Sequence, residues 1–104
     1  MQDDRGQRRR PLPPESLAGL RSAFAGEVGE RLPRLLRLLH VPPGPHALRD
    51  AHALGSSSVV VGEIAVSRCA RALEAELARD APDPARTTEL VRELAGRLEG
   101  WVGR

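Results

Sequence analysis

Aliphatic residues return at spacings of three and four along almost the whole chain, and proline or glycine interrupts them at three places. That period puts the apolar side chains on one stripe of a helix and rules out the two-residue alternation of a half-buried strand. Residues 15–40 carry Leu17, Leu20, Phe24, Val28, Leu32, Leu35 and Leu39 in this register. Gly19, Gly26 and Gly29 weaken the helix they predict, and Pro33 removes one hydrogen bond and crowds the carbonyl of Gly29. Because the stripe runs on through Pro33, one kinked helix is expected in place of two.

Val41-Pro42-Pro43-Gly44-Pro45 cannot be helical throughout, and Pro45 suits the first position of the next helix. That helix is expected over about 45–61, with Ala47, Ala51, Leu54, Ser58 and Val61 facing a core. Gly62 ends it. A third helix follows with Val66, Cys69, Ala70, Leu73 and Leu77 as its stripe, stopping at Arg79-Asp80-Ala81-Pro82. Asp83-Pro84 pairs a capping side chain with a proline at the first helical position. The fourth helix then runs to about 102, with Leu90, Val91, Leu94, Leu98 and Trp101 inward. The expected fold is all-α, an antiparallel up-down four-helix bundle with a kinked first helix. It occupies residues 15–104, behind a disordered Arg/Pro-rich tail over 1–14.

The second helix sets one residue apart. Leu54 lies two positions from His52, so with Leu54 in the core His52 points to solvent. Its neighbours on that outer face are Arg49, Gly55, Ser56 and Val59. Gly55 and Ser56 are read as leaving room for another protein to approach the imidazole, and Ser57 and Ser58 as packing residues. A tight turn at Gly62 sets His52 opposite Glu74 and Gly55 opposite Arg71, to within a turn of helix. Glu74 would then accept from Nδ1–H and leave the Nε2 lone pair outward, as a nucleophile needs. Arg71 and Arg49 would flank an anion attached there. On spacing alone, an ordinary solvated pair is the competing reading for Glu74 and Arg71.

Charge and composition exclude several functions. The formal net charge is +2 and all sixteen basic residues are arginine. Four of them, Arg5, Arg8, Arg9 and Arg10, lie in the tail, and the others are interspersed with Glu as on solvated helix faces. A nucleic-acid binder shows a more concentrated excess, so nucleic acid is not an expected partner. Such a role through the tail would show as salt-sensitive binding lost on removing residues 1–10. The single cysteine, Cys69, permits no internal disulfide and falls in a core stripe. With no membrane span and no secretory leader in the sequence, a cytoplasmic location is expected. His40, His46 and His52 recur every six residues, which is not metal-ligand spacing on one helical face, and no metal is expected. Ser57, His52 and Glu74 lack an oxyanion device, and GSSSVVVG lacks the lysine of a phosphate-binding loop.

The run from Ala51 to Glu74, AHALGSSSVVVGEIAVSRCARALE, resembles the signature of the histidine phosphotransfer (HPt) domain. The family pattern is roughly H-x-L-K-G-S-S/A-x-x-x-G followed by L-x-x-x-C-x-x-L-E. His52, Leu54, Ser57, Ser58, Gly62, Val66, Leu73 and Glu74 fall in its register. The upstream segment FAGEVGERLPRLLRLL, with Phe24 and Pro33, is similar to the family's preceding helix, and the likeness extends over about residues 15–100.

The resemblance implies a four-helix bundle in which His52 is reversibly phosphorylated at Nε2 within a phosphorelay. The phosphoryl group would be exchanged with the aspartate of a receiver (response regulator) domain, alone or in a hybrid histidine kinase. No ATP site and no cofactor of its own are implied; Mg²⁺ belongs to the receiver. The chain is therefore expected to be a phosphocarrier and not an enzyme by itself. Two positions depart from the family. Gly55 stands in place of the lysine thought to neutralise the phosphoryl charge, and Ser56 in place of the following glycine. Arg71 or Arg49 is the expected substitute cation. The alternative is a phosphate-free module that docks a receiver or kinase. Docking is expected over Arg49, Gly55, Ser56, Val59 and the facing side of the third helix, and the want of an extra apolar face favours a monomer.

Overall fold

The computed structural model describes residues 14–102, and every regular element among them is helical. Helix α1 spans Pro14–Leu36, α2 Pro45–Val60, α3 Ile64–Leu77 and α4 Pro84–Val102, with a 3₁₀ turn over Arg37–Leu39 after α1. The four helices pack against one another around a shared cluster that includes Phe24, Leu35, Leu54, Leu73, Leu94 and Leu98. The expected tail lies outside the described residues except for Pro14, which opens α1. A proline tolerates that place because its missing N–H is one the first turn leaves unpaired anyway.

α1 continues through Pro33 as a single helix. The expected extension to residue 40 is corrected: the α-helix stops at Leu36 and tightens. His40 N–H and Val41 N–H both donate to the Arg37 carbonyl at 2.9 Å. Val41 precedes Pro42, whose ring keeps it out of the helical region, so the chain leaves the helix there after the tighter three-residue bond from His40.

α2 starts as the sequence reading has it, with Gly44 as N-cap and Pro45 in the first turn. It ends in a Schellman motif. Glu63 N–H donates to Ser58 O at 2.8 Å and Gly62 N–H to Val59 O at 3.0 Å. Gly62 has φ +80°, a conformation that costs a side-chain-bearing residue dearly, so glycine is required here. α4 opens on Asp83, whose Oδ1 accepts from Ala85 N–H at 3.0 Å.

Buried side chains follow the expected stripes on α2, α3 and α4, with Val61 and Leu77 partly covered at the margins. Near the end of α4, Trp101 packs edge-on against Phe24 of α1 at a centroid separation of 4.9 Å. The Arg21 guanidinium lies 5.2 Å from the centroid of the indole ring.

One buried polar group holds α1 to α2. Asp50, only 1% exposed, accepts from Arg31 Nη1 at 2.8 Å on Oδ1, and Arg34 reaches both oxygens at 2.8 Å through Nε and Nη2. A carboxylate so placed is stable only because charged donors satisfy it. The two arginines bracket Pro33, so the pair grips α1 where its hydrogen-bond ladder is interrupted.

Candidate functional site

The outer face of α2 and the facing side of α3 hold the residues singled out in the sequence. His52 has a side chain 63% exposed, and its Nδ1 lies 2.7 Å from Glu74 Oε2 on α3. A carboxylate only accepts, so in this pair Nδ1 carries the proton and donates it. Nε2 makes no hydrogen bond among the described residues. The contacts between α2 and α3 run in opposite senses along the chain: His52 meets Glu74, and Gly55 meets Ser67 and Arg71.

Gly55 is not part of an open patch, which corrects the expectation that it leaves room for a partner. It is buried, and a Cβ built there would lie 3.2 Å from Arg71 Cγ and 3.7 Å from Ala70 Cβ. Its small size lets α3 come close and gives the Arg71 stem a place to lie. Ser67 Oγ donates to the Gly55 carbonyl at 2.8 Å, and Arg71 Nε donates to Ser67 Oγ at 3.2 Å. Ser67 is buried and was not singled out in the sequence. Its only signal there is its place beside Val66 in the α3 stripe, four residues before Arg71.

Ser56 and Val59 are exposed on the His52 face, and so is Arg49, which makes no hydrogen bond or ion pair among the described residues. Ser57 and Ser58 turn inward and donate to the carbonyls four residues back, Ala53 O at 2.7 Å and Leu54 O at 2.6 Å. The absence of an extra apolar face needs qualifying. Val59, Val60 and Ile64 are all about half exposed around the α2–α3 turn. Three consecutive valines cannot all face inward on a helix, and Val61 is the one that does so in part.

Asp50, two residues before His52 in the chain but turned toward α1, is a buried polar residue that sequence reading missed. The Arg34 guanidinium, with help from Arg31, holds its carboxyl below the usual carboxylate range against the opposing effect of burial. Cys69 is buried and its thiol is pushed up to about 11, chiefly by desolvation. Among the described residues no three His, Cys, Asp or Glu side chains gather as a metal site, and no helix is long and apolar enough to cross a membrane.

Set against known proteins, the chain matches no family model, no curated protein and no solved structure.

Proposed function

We propose that His52 is a phosphoryl acceptor and that the protein works as a phosphorelay intermediate of the histidine phosphotransfer kind. The observation that carries this reading is the Nδ1 to Glu74 Oε2 contact of 2.7 Å beneath a solvent-exposed imidazole. It fixes the tautomer in which Nε2 keeps its lone pair and faces outward.

The transfer balances without an outside proton. The Nε2 lone pair attacks the phosphorus of an aspartyl phosphate on a receiver domain. The P–O bond to the aspartyl carboxylate breaks, and that carboxylate leaves with the electron pair. The imidazole keeps its Nδ1 proton and becomes a cationic ring bearing a dianionic phosphoryl group. Glu74 offsets that ring charge. Such a transfer asks mainly for alignment and charge neutralisation, which a partner's site can share. Any Mg²⁺ is the receiver's, and the chain is a carrier with no reaction of its own.

The same proposal includes an up-down antiparallel bundle bent at Pro33, a monomer in the cytoplasm, and a receiver or hybrid kinase as partner. The opposed run of the α2–α3 contacts supports the bundle. Arg49, Ser56 and Val59 offer the docking face, with Gly55 withdrawn beneath Arg71. A second reading, a docking module that carries no phosphate, is favoured by one feature: the position three residues after His52 has no side chain.

The test is phosphoryl transfer from a panel of phosphorylated receivers to the wild type and to His52→Gln. The expected product is acid-labile, alkali-stable label on the wild type and none on the variant. Receiver binding with no label on either would support the docking module instead.

A further inference from the structure

Three contacts fix the place of Arg71 beside Gly55. The Arg71 stem lies across Gly55, where a Cβ on α2 would press to 3.2 Å from its Cγ. Its Nε is held by Ser67 Oγ at 3.2 Å, and that hydroxyl is spent on the Gly55 carbonyl at 2.8 Å. The two terminal amino groups of Arg71 make no hydrogen bond among the described residues. Arg71 and Gly55 lie three residues from Glu74 and His52 on their respective helices, about 4.5 Å of rise.

The direction of the tether matters. Ser67 lies one turn toward the start of α3, whereas Glu74 lies one turn toward its end. Held by Ser67, Arg71 is therefore drawn away from His52. The bond that holds it is long and made to a neutral hydroxyl. A phosphoryl dianion on Nε2 offers a charged acceptor, and such bonds are shorter and roughly twice as strong.

We propose that Arg71 is the cation that neutralises the phosphoryl group on His52, delivered from α3 across Gly55, and that Ser67 is its resting tether. This rests on the reading of His52 as phosphoryl acceptor. Phosphorylation moves Arg71 from a neutral partner to a charged one, and loss of the phosphoryl group returns it. Arg49 has neither seat nor tether and is not assigned this role.

Substitutions at the two residues of the tether are expected to differ: loss of Arg71 slows uptake and loss of Ser67 does not. With phosphoramidate as a small-molecule donor, no partner protein is needed. Phosphohistidine is followed by ³¹P NMR, and Arg71 Nε–H by a ¹⁵N–¹H spectrum in which Arg71→Lys identifies its peak. Arg71→Ala is expected to take up the phosphoryl group about tenfold more slowly, the scale of one screened charge-assisted contact. Arg71→Lys is expected to restore the rate to within about threefold of wild type. Ser67→Ala is expected to match or exceed the wild-type rate. The Arg71 Nε–H peak is expected to shift on phosphorylation of the wild type and to stay put in His52→Gln. Uptake by Arg71→Ala within twofold of wild type, on a chain with unchanged helical circular dichroism, would overturn Arg71's role and leave His52 as acceptor. Slowing in Ser67→Ala as large as in Arg71→Ala would overturn the resting tether. No label on wild-type His52 would overturn the acceptor reading and this inference together.

Discussion

Asp50 is a buried carboxylate that depends on Arg31 and Arg34 for its partners. Asp50→Asn keeps the shape but takes the charge from between Arg31 and Arg34, and is expected to cost about 1.5–3 kcal/mol of stability in urea unfolding. The value sits below that of a fully enclosed pair because both guanidiniums reach solvent. The same contact sets a pH dependence. Its folded pKa is depressed by Arg34 first and then Arg31, so the stabilisation is complete above the unfolded value near 4 and drains away as pH falls through the folded one. Wild type should therefore lose its advantage over Asp50→Asn below about pH 4, and keep it near pH 7. None of this is legible from Asp50 alone. A carboxylate in an apolar stripe looks like an interruption until the α1–α2 register brings two arginines to it. His52 and Glu74 were legible, because two helical phases and one tight turn suffice to place them opposite each other. Gly55 was misjudged since periodicity gives the direction of a residue but not the distance to the next helix.

At the scale of elements, the clearest sequence signals were chain breaks, and their physics is local. Asp83-Pro84 opens α4 through one side-chain acceptor and one ring. Asp83→Ala is expected to cost about 1 kcal/mol, measured as a lowered midpoint in thermal unfolding, while Asp83→Asn or Asp83→Ser should recover most of it. Gly62 does equivalent service at the end of α2 through its positive φ. The end of α1 was harder to read. Leu35 and Leu39 keep the helical spacing through the point where the backbone tightens, because a 3₁₀ turn carries apolar residues on nearly the same side as an α-helix does. Only Pro42, acting back on Val41, marks the stop. Buried Ser67 and Glu76 were invisible for a similar reason. Their partners, the Gly55 carbonyl for Ser67 and the Asp83 N–H with Arg79 for Glu76, lie in other elements or beyond the helix end.

The whole molecule closes around side chains drawn from all four helices, and its one cysteine is among them. Cys69 is buried on α3, and its thiol donates to the Leu90 carbonyl of α4 at 3.6 Å. A thiol must lose its proton and meet solvent before a disulfide reagent can attack it, and in the folded state both conditions fail. Cys69 therefore acts as a clock for separation of α3 from α4. Labelling by a disulfide reagent at pH 8 should be slower than for a free thiol by the fraction of time the helices spend apart. Its rise with denaturant should be shallower than that of global unfolding if that pair opens by itself, and should parallel global unfolding if it does not. Because the helix that carries this clock also carries Glu74, Ser67 and Arg71, anything that engages the His52 face should be heard as a change in its rate.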